Sequence, residues 1–262
     1  MILHSYLTDG FITWTLHMLE TFKYYNGDNL KFILTTRDLN ENQIEQLKSV
    51  YKNLIIENKT FDYNEISKRM KLDIESVKKH KHECETYKGH SKSTIWKQFV
   101  SVEERYRDSI IDIMKRYENE KYILHLDADL SIRNNCKPLF KFVKNHDISI
   151  RYRTNPQVRD RRKFFGAMIG FKICDNVYEF MNEWINRINK LPLYEKPKWY
   201  GQTTFYNTYM ECKDIDINWG FFPKKFIAAH KRNDQLIWSG NSKNGKISDL
   251  IECKNDFDER IK

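Results

Sequence analysis

Hydrophobic positions alternate between two spacings along the first third of the chain. Residues 1–7 are mostly apolar and β-prone, and from Phe11 to Tyr25 the apolar residues recur at helical spacing until Asn26 and Gly27 end the run. Residues 31–35 make a second short strand pattern, Asn40 is placed to cap a helix over 41–50, and residues 53–57 make a third strand pattern. This strand–helix–strand–helix–strand order predicts a parallel sheet covered by helices.

Beyond it the pattern changes. Residues 60–92 are densely charged and read as a solvated helical insertion; they include His80, His82, Cys84 and His90, but at spacings that match no common metal site. From Ile95 to Tyr117 the series Phe99, Val102, Tyr106, Ile110, Ile113, Met114 and Tyr117 marks the core-facing stripe of one long helix. Residues 121–126 predict a buried central strand, 147–152 an edge-like strand and 167–172 a buried one. Over 177–190 a helix turns Val177, Phe180, Met181, Trp184, Ile185 and Ile188 inward. After Pro192 the chain is aromatic-rich and irregular, as expected of a site-forming lobe continuous with the same sheet. The whole predicts a single α/β domain over residues 1–262, with a mostly parallel central sheet and helices on both faces.

Composition narrows the classes. A 40% hydrophobic and 14% aromatic content is enough for a core. No stretch approaches the roughly 18 consecutive apolar residues of a membrane span. The N-terminus reads as a strand rather than a signal peptide. The five cysteines are scattered, without a Cys-x-x-Cys pair, so a reducing, cytoplasmic setting is expected. A net charge of +9 suits a nucleoside diphosphate, an anionic acceptor or peripheral contact with an anionic membrane. Arg151, Arg153, Arg159, Arg161 and Arg162 concentrate that charge; phosphate or acidic-acceptor contacts are one reading, a solvated basic loop another, and a nucleic-acid-binding module a third.

The sharpest chemical signal is Asp127-Ala-Asp129, which follows directly on Tyr-Ile-Leu-His-Leu126. Ligands of open α/β sheets bind outside the carboxyl ends of strands. Two carboxylates there repel one another unless a cation joins them, and Mg²⁺ or Mn²⁺ takes such hard oxygens while leaving positions for phosphate. By the same rule Thr8 and Asp9, after the first strand, lie where a nucleotide base and ribose would sit.

Lys121-Tyr-Ile-Leu-His-Leu-Asp-Ala-Asp-Leu130 resembles the signature of GT-A glycosyltransferases, a hydrophobic strand and then Asp-x-Asp. Further segments follow in the order of the glycogenin-like and lipopolysaccharide galactosyltransferase-like branch. Ser93-Thr-Ile-Trp-Lys97 is similar to its donor-contacting basic segment, and Phe165-Gly-Ala-Met-Ile-Gly-Phe171 to its small-residue strand facing the sugar. Gly201-Gln-Thr-Thr-Phe-Tyr-Asn207 resembles its Asp-Gln-x-x-x-x-Asn segment, with Gly201 in place of the acidic residue. His230 with residues 238–246 resembles its closing His…Gly…Lys element, at a longer spacing.

The resemblance implies a GT-A, Rossmann-like fold, with residues 1–135 binding a nucleotide-sugar and 136–262 forming the acceptor side and a lid over 230–246. It implies transfer from a nucleoside-diphosphate-sugar, with UDP favoured, to a hydroxyl on a glycan, lipid or protein. Asp127, Asp129 and His230 would hold Mn²⁺ or Mg²⁺, and Lys97 and Lys246 would neutralise phosphate. Gln202 would sit near the anomeric carbon, favouring retention of configuration; Asp175, Glu195 and Asp234 are the carboxylates left for an inverting base. Trp199, Tyr200 and Trp238 would offer faces to a sugar. Two rivals remain: a nucleotidyltransferase, which calls for a Gly-rich basic loop after the first strand that Ser5-Tyr-Leu-Thr-Asp-Gly-Phe11 lacks, and the basic nucleic-acid module, which is not expected.

Overall fold

The computed structural model describes residues 1–86, 96, 99, 109–155, 157–159, 163–196, 200–228, 234–239 and 246–261, the side chains of Asp9, 83–86 and 246–249 excepted. Strand β1 (Ile2–Thr8) passes through a short 3-10 turn into helix α1 (Ile12–Asn26). Strands β2 (Phe32–Arg37) and β3 (Leu54–Lys59) flank α2 (Glu41–Val50). Asn40 caps α2 as the sequence indicates: its Oδ1 accepts from Gln43 N–H at 3.0 Å, and Gln43 Oε1 accepts from Asn40 N–H at 2.9 Å. Helices α3 (Tyr63–Met70), α4 (Ile74–Thr86) and α5 (Ile111–Arg116) lead to β4 (Tyr122–Leu126). Then come β5 (Ser131–Ile132), α6 (Lys137–Lys144), β6 (Ile148–Tyr152), β7 (Phe164–Lys172) and α7 (Asp175–Asn189). Helix α8 (Tyr200–Glu211), β8 (Trp219–Phe221), β9 (Ile227–Ala228), β10 (Ile237–Trp238) and α9 (Lys246–Ile261) complete the described chain.

Seven strands form the main sheet in the order β3-β2-β1-β4-β7-β6-β8, and only β7 runs against the rest. Alternation sorts its two faces. Leu3, Leu7, Phe32, Leu34, Leu124 and Leu126 face one core with residues of α1, α2 and α6. Ile2, Ile33, Ile123, Ile169 and Phe171 face the other, with residues of α5, α7 and α8. The expected mostly parallel sheet with helices on both faces is present.

Three expectations change. The charged insertion is more than a solvated face: Phe61, Ile66, Met70, Val77, Trp96, Phe99 and Leu193 form a core of its own. Phe99 therefore belongs to a different core from Ile110 and Ile113, although all lie on the predicted stripe; Val102 and Tyr106 lie outside the described residues. The edge-like strand is interior, with β6 between β7 and β8. Its polar alternation misleads because Ser149 stands between Gly170 and Gly220 in a lane of small residues under α6. A Cβ at Gly170 would meet the Val143 methyls at 2.9 Å, and one at Gly220 the His146 ring at 2.6 Å. Small size there serves close packing of helix on sheet.

The described residues after Pro192 hold more regular structure than their composition indicates. Helix α8 and strand β8 join the main sheet and its second core, while β5, β10 and β9 form a separate three-stranded sheet. No helix among the described residues is long and apolar enough to cross a membrane.

Candidate functional site

Order reverses between β1 and β4: the chain runs from β1 outward through β2 to β3, then returns to lay β4 on the other side of β1. Such a switch point opens a crevice at the carboxyl ends of the two strands. Thr8 ends β1 there, buried, and Asp127 follows β4. Asp9 opens the 3-10 turn that carries the chain into α1.

Both sides of the carboxylate pair are pinned. Leu126, Ala128 and Leu130 all pack into the first core, while Asp127 and Asp129 between them stay half-buried. The Asp127 N–H donates to Ala167 O at 2.9 Å, tying the turn to β7. On the far side, Ser131 Oγ lies 3.0 Å from Nε2 of His17 in α1, and Ile132 N–H donates to Thr21 Oγ1 at 3.2 Å. Arg133 donates through its backbone N–H to Leu236 O at 2.8 Å. Its guanidinium, itself buried, donates from Nε and from one terminal nitrogen to the Asp256 carboxylate of α9 at 2.8 and 2.9 Å. Burial and the nearby Lys254 ammonium hold the His17 imidazole down to about 4, against smaller opposing pulls from Asp258 and Asp256.

Within the sheet a line of polar groups reaches Asp127. His4 and His125 are paired in register on β1 and β4, fully buried, with Nδ1 atoms 3.0 Å apart. His4 Nε2 lies 3.1 Å from Thr35 Oγ1, and His125 Nε2 lies 3.9 Å from Asp127 Oδ1. The only sequence signal for these residues is a titratable side chain in the middle of each of two apolar strands.

Gln202 lies in the first turn of α8, half-buried. Gly201 O beside it accepts from Trp184 Nε1 at 3.1 Å, and Phe205 and Tyr206 pack on Phe164 at the start of β7. That helix therefore rests on the strand whose Ala167 holds Asp127. Lys97 and His230 lie outside the described residues, as do Trp199, Arg161, Arg162 and most of the 230–246 segment. Lys246 opens α9, its side chain outside the described set.

Other expectations need correction. Trp238 is buried against Trp14, Leu250 and Cys253, and it pairs with Ser131 and Ala228 as a strand residue. The middle of the expected lid is thus anchored. Tyr200 is held by donating its hydroxyl to Arg187 O at 3.0 Å. Within the small-residue strand only its beginning, by Ala167, adjoins the carboxylates; Gly170 faces α6. Because β7 runs backward, Asp175 starts α7 at the opposite edge of the sheet and is removed from the crevice. Arg151 donates to Ile227 O and so joins the two sheets, and it lies with Arg153 over the Phe165 ring of the main sheet. No group of three His, Cys, Asp or Glu side chains suited to a metal occurs among the described residues, the 80–90 cluster included only as far as it is described.

Solved structures share this fold. A galactosyltransferase, LgtC, in complex with donor and acceptor sugar analogs superimposes with a TM-score of 0.56 at 10% identity, over 99% of this chain and 96% of that one. The apo-form glycosyltransferase GlyE of Streptococcus pneumoniae gives 0.54 at 11% identity, over 99% and 63%. Mouse xyloside xylosyltransferase 1 gives 0.51 at 10%, over 92% and 97%. By sequence, no family model and no curated protein matches. The chain has the GT-A, Rossmann-like fold of these glycosyltransferases.

Proposed function

We propose that the chain is a metal-dependent glycosyltransferase that moves a sugar from a nucleoside-diphosphate-sugar, UDP-linked by preference, to a hydroxyl acceptor on a glycan, lipid or protein. The observation that carries this reading is Asp127-Ala-Asp129 pinned at the carboxyl end of β4, at the switch point with β1. The donor set fits the ion. Mg²⁺ and Mn²⁺ bind through one or two carboxylates and take the rest of their shell from phosphate and water, so two pinned carboxylates are a sufficient protein contribution. Asp127 and Asp129 would hold such an ion, whose chemistry there is to neutralise charge developing on a departing diphosphate.

The chain's own residues do the rest. Thr8 and Asp9 stand at the nucleoside end of the crevice. Lys97 and Lys246 would counter phosphate charge, His230 would add a nitrogen ligand, and Gln202 would face the anomeric carbon. A Gln amide is a poor nucleophile, so its role there is to stabilise positive charge, in keeping with retention of configuration. The direct passage from Thr8 through three residues into α1 leaves no room for a Gly-rich phosphate loop, which favours sugar transfer over nucleotidyl transfer. Arg151 and Arg153, committed to Ile227 and Phe165, favour it over a nucleic-acid surface.

A panel of nucleotide-sugars with Mn²⁺, read by melting temperature and donor turnover, tests the proposal. One donor class should raise the melting temperature. Asp127→Asn should abolish that shift and lower turnover by roughly 10²–10³-fold, while the ligand-free melting temperature holds. The first-formed product should keep the donor's anomeric configuration by proton NMR. Turnover that persists in Asp127→Asn or in excess chelator removes the metal from the reading; an inverted product removes Gln202.

A further inference from the structure

Three strands of the sheet carry polar side chains where apolar ones would pack. Thr35, His4 and His125 lie on β2, β1 and β4, on the face that Ile33, Ile2 and Ile123 share, and each is at least nine-tenths buried. Burying such groups costs free energy unless their protons are arranged to bond. Here the arrangement can be worked out.

The two Nδ1 atoms at 3.0 Å cannot both carry protons and cannot both be bare, so one imidazole donates to the other. Suppose His125 donates. Its Nε2 is then a lone pair turned to the Asp127 carboxylate 3.9 Å away, which is repulsive. Suppose instead that His4 donates. His125 then carries its proton on Nε2 and presents an N–H to the carboxylate. In that state His4 Nε2 is an acceptor, and the Thr35 hydroxyl at 3.1 Å is the group that donates to it. An ionised Asp127, as a cation ligand must be, selects the second state. Its polarity runs one way, from the Thr35 hydroxyl to His4, from His4 Nδ1–H to His125, and from His125 Nε2–H towards Asp127.

We infer that His4 and His125 are positioning residues for the cation-binding carboxylate, and that His4 acts by fixing the tautomer of His125. The inference rests on the reading of Asp127 as a metal ligand. At 3.9 Å the last step is an electrostatic contact rather than a hydrogen bond. It still favours one orientation of a half-buried carboxylate before any ion arrives, which lowers the cost of binding one. His4 touches neither carboxylate directly in this scheme, yet its donor proton decides what His125 shows to Asp127.

Two measurements test it on the full chain. Long-range proton–nitrogen NMR at neutral pH should find His4 protonated on Nδ1 and His125 on Nε2; the reverse pair of tautomers overturns the inference. Mn²⁺ binding in the presence of UDP, read by electron paramagnetic resonance of the free ion, should weaken roughly tenfold in His4→Leu. His4→Asn, whose amide N–H can still donate to His125 Nδ1, should recover most of that loss. Both variants lose the imidazole and the Thr35 bond, so a merely structural role predicts equal Mn²⁺ affinity in the two. Should His4→Leu fail to fold, the wild-type tautomers decide. Asp127→Asn separates the two levels. If it binds Mn²⁺ with UDP as the wild type does, the metal reading fails and the role of His4 falls with it. If it loses binding while His4→Leu keeps it, the metal reading stands and the positioning role is overturned.

Discussion

The parallel half of the main sheet and the small sheet beside its carboxyl edge share the first core but differ in how much polar bonding holds them. In β1, β2 and β4 nearly every position is buried, and alternating apolar side chains fill a core on each face. Strands β5, β9 and β10 have two residues each. Ile132, Ile227 and Ile237 are buried in the first core, but their placement along it is set by directional, polar contacts: His17 with Ser131, Thr21 with Ile132, and Arg133 with both Leu236 and Asp256. Area burial can place a layer, but it does not specify where a turn such as Asp127-Ala-Asp129 stops. Hydrogen bonds of fixed length and direction do. A site at the seam therefore takes its rigidity from the first region and its register from the second.

Breaking the buried ion pair tests that division most severely. Asp256→Ala leaves the Arg133 guanidinium charged and without its two carboxylate bonds in a nearly dry place, a change that costs about 3–5 kcal/mol. The double variant Arg133→Met, Asp256→Leu should cost distinctly less, because no buried charge is left unpaired; Arg260, which also donates to Asp256 at 3.0 Å, is part-exposed and water can take that place. Urea melts measure both. Hydrogen exchange in Asp256→Ala should rise at 131–133 and 234–239 before it rises in β1, β2 and β4. Uniform loosening across both regions would show that they do not close separately.

The second test uses acid. His17 joins α1 to β5 and is held down to about 4 by burial, with Lys254 adding to the effect. The folded chain thus disfavours the charged imidazole, while the unfolded chain protonates it near 6.5. The stability this contributes is present above 6.5 and is lost as pH falls towards 4, by about 3 kcal/mol in all. In His17→Gln that part of the pH dependence should vanish, leaving the carboxylates' share. Parallel pH profiles for the two proteins would show the imidazole to be no part of the acid sensitivity.

The same contrast explains what was legible in the chain. The first three strands, α1 and α7 follow from apolar spacing, since each must cover a core face with neighbours close in sequence, and α2 follows from its Asn40 cap. Asp127 and Asp129 were visible because an unusually apolar strand runs straight into them. Nothing local pairs Arg133 with Asp256, 123 residues on, or His4 with His125, 121 residues on. A two-residue strand has no period to read, so β5 carries no signal, β9 and β10 fall in what reads as irregular chain, and Trp238 reads as a candidate lid residue. Ser149 misled for a further reason: a polar residue between two glycines on neighbouring strands signals a helix pressed close, not an edge.

The smallest expected effect comes from the region that burial secures. Asn40 and Gln43 exchange two hydrogen bonds at the start of α2, both in exposed positions. Water can replace each partner, so Asn40→Ala should cost only about 1 kcal/mol, the loss of a helix cap and no more. That cost should be the same at pH 7 and pH 5, because neither side chain titrates. It should also add to the cost of Asp256→Ala, because the two sites share no partner and act on different elements. Urea melts of the two single variants and the double provide the check. An interaction beyond about 0.5 kcal/mol would mean that the α2 cap and the Arg133–Asp256 pair are energetically coupled although they share no partner. A change in the parallel half would then alter what the small closing sheet contributes, and rigidity and register would not be supplied separately by the two.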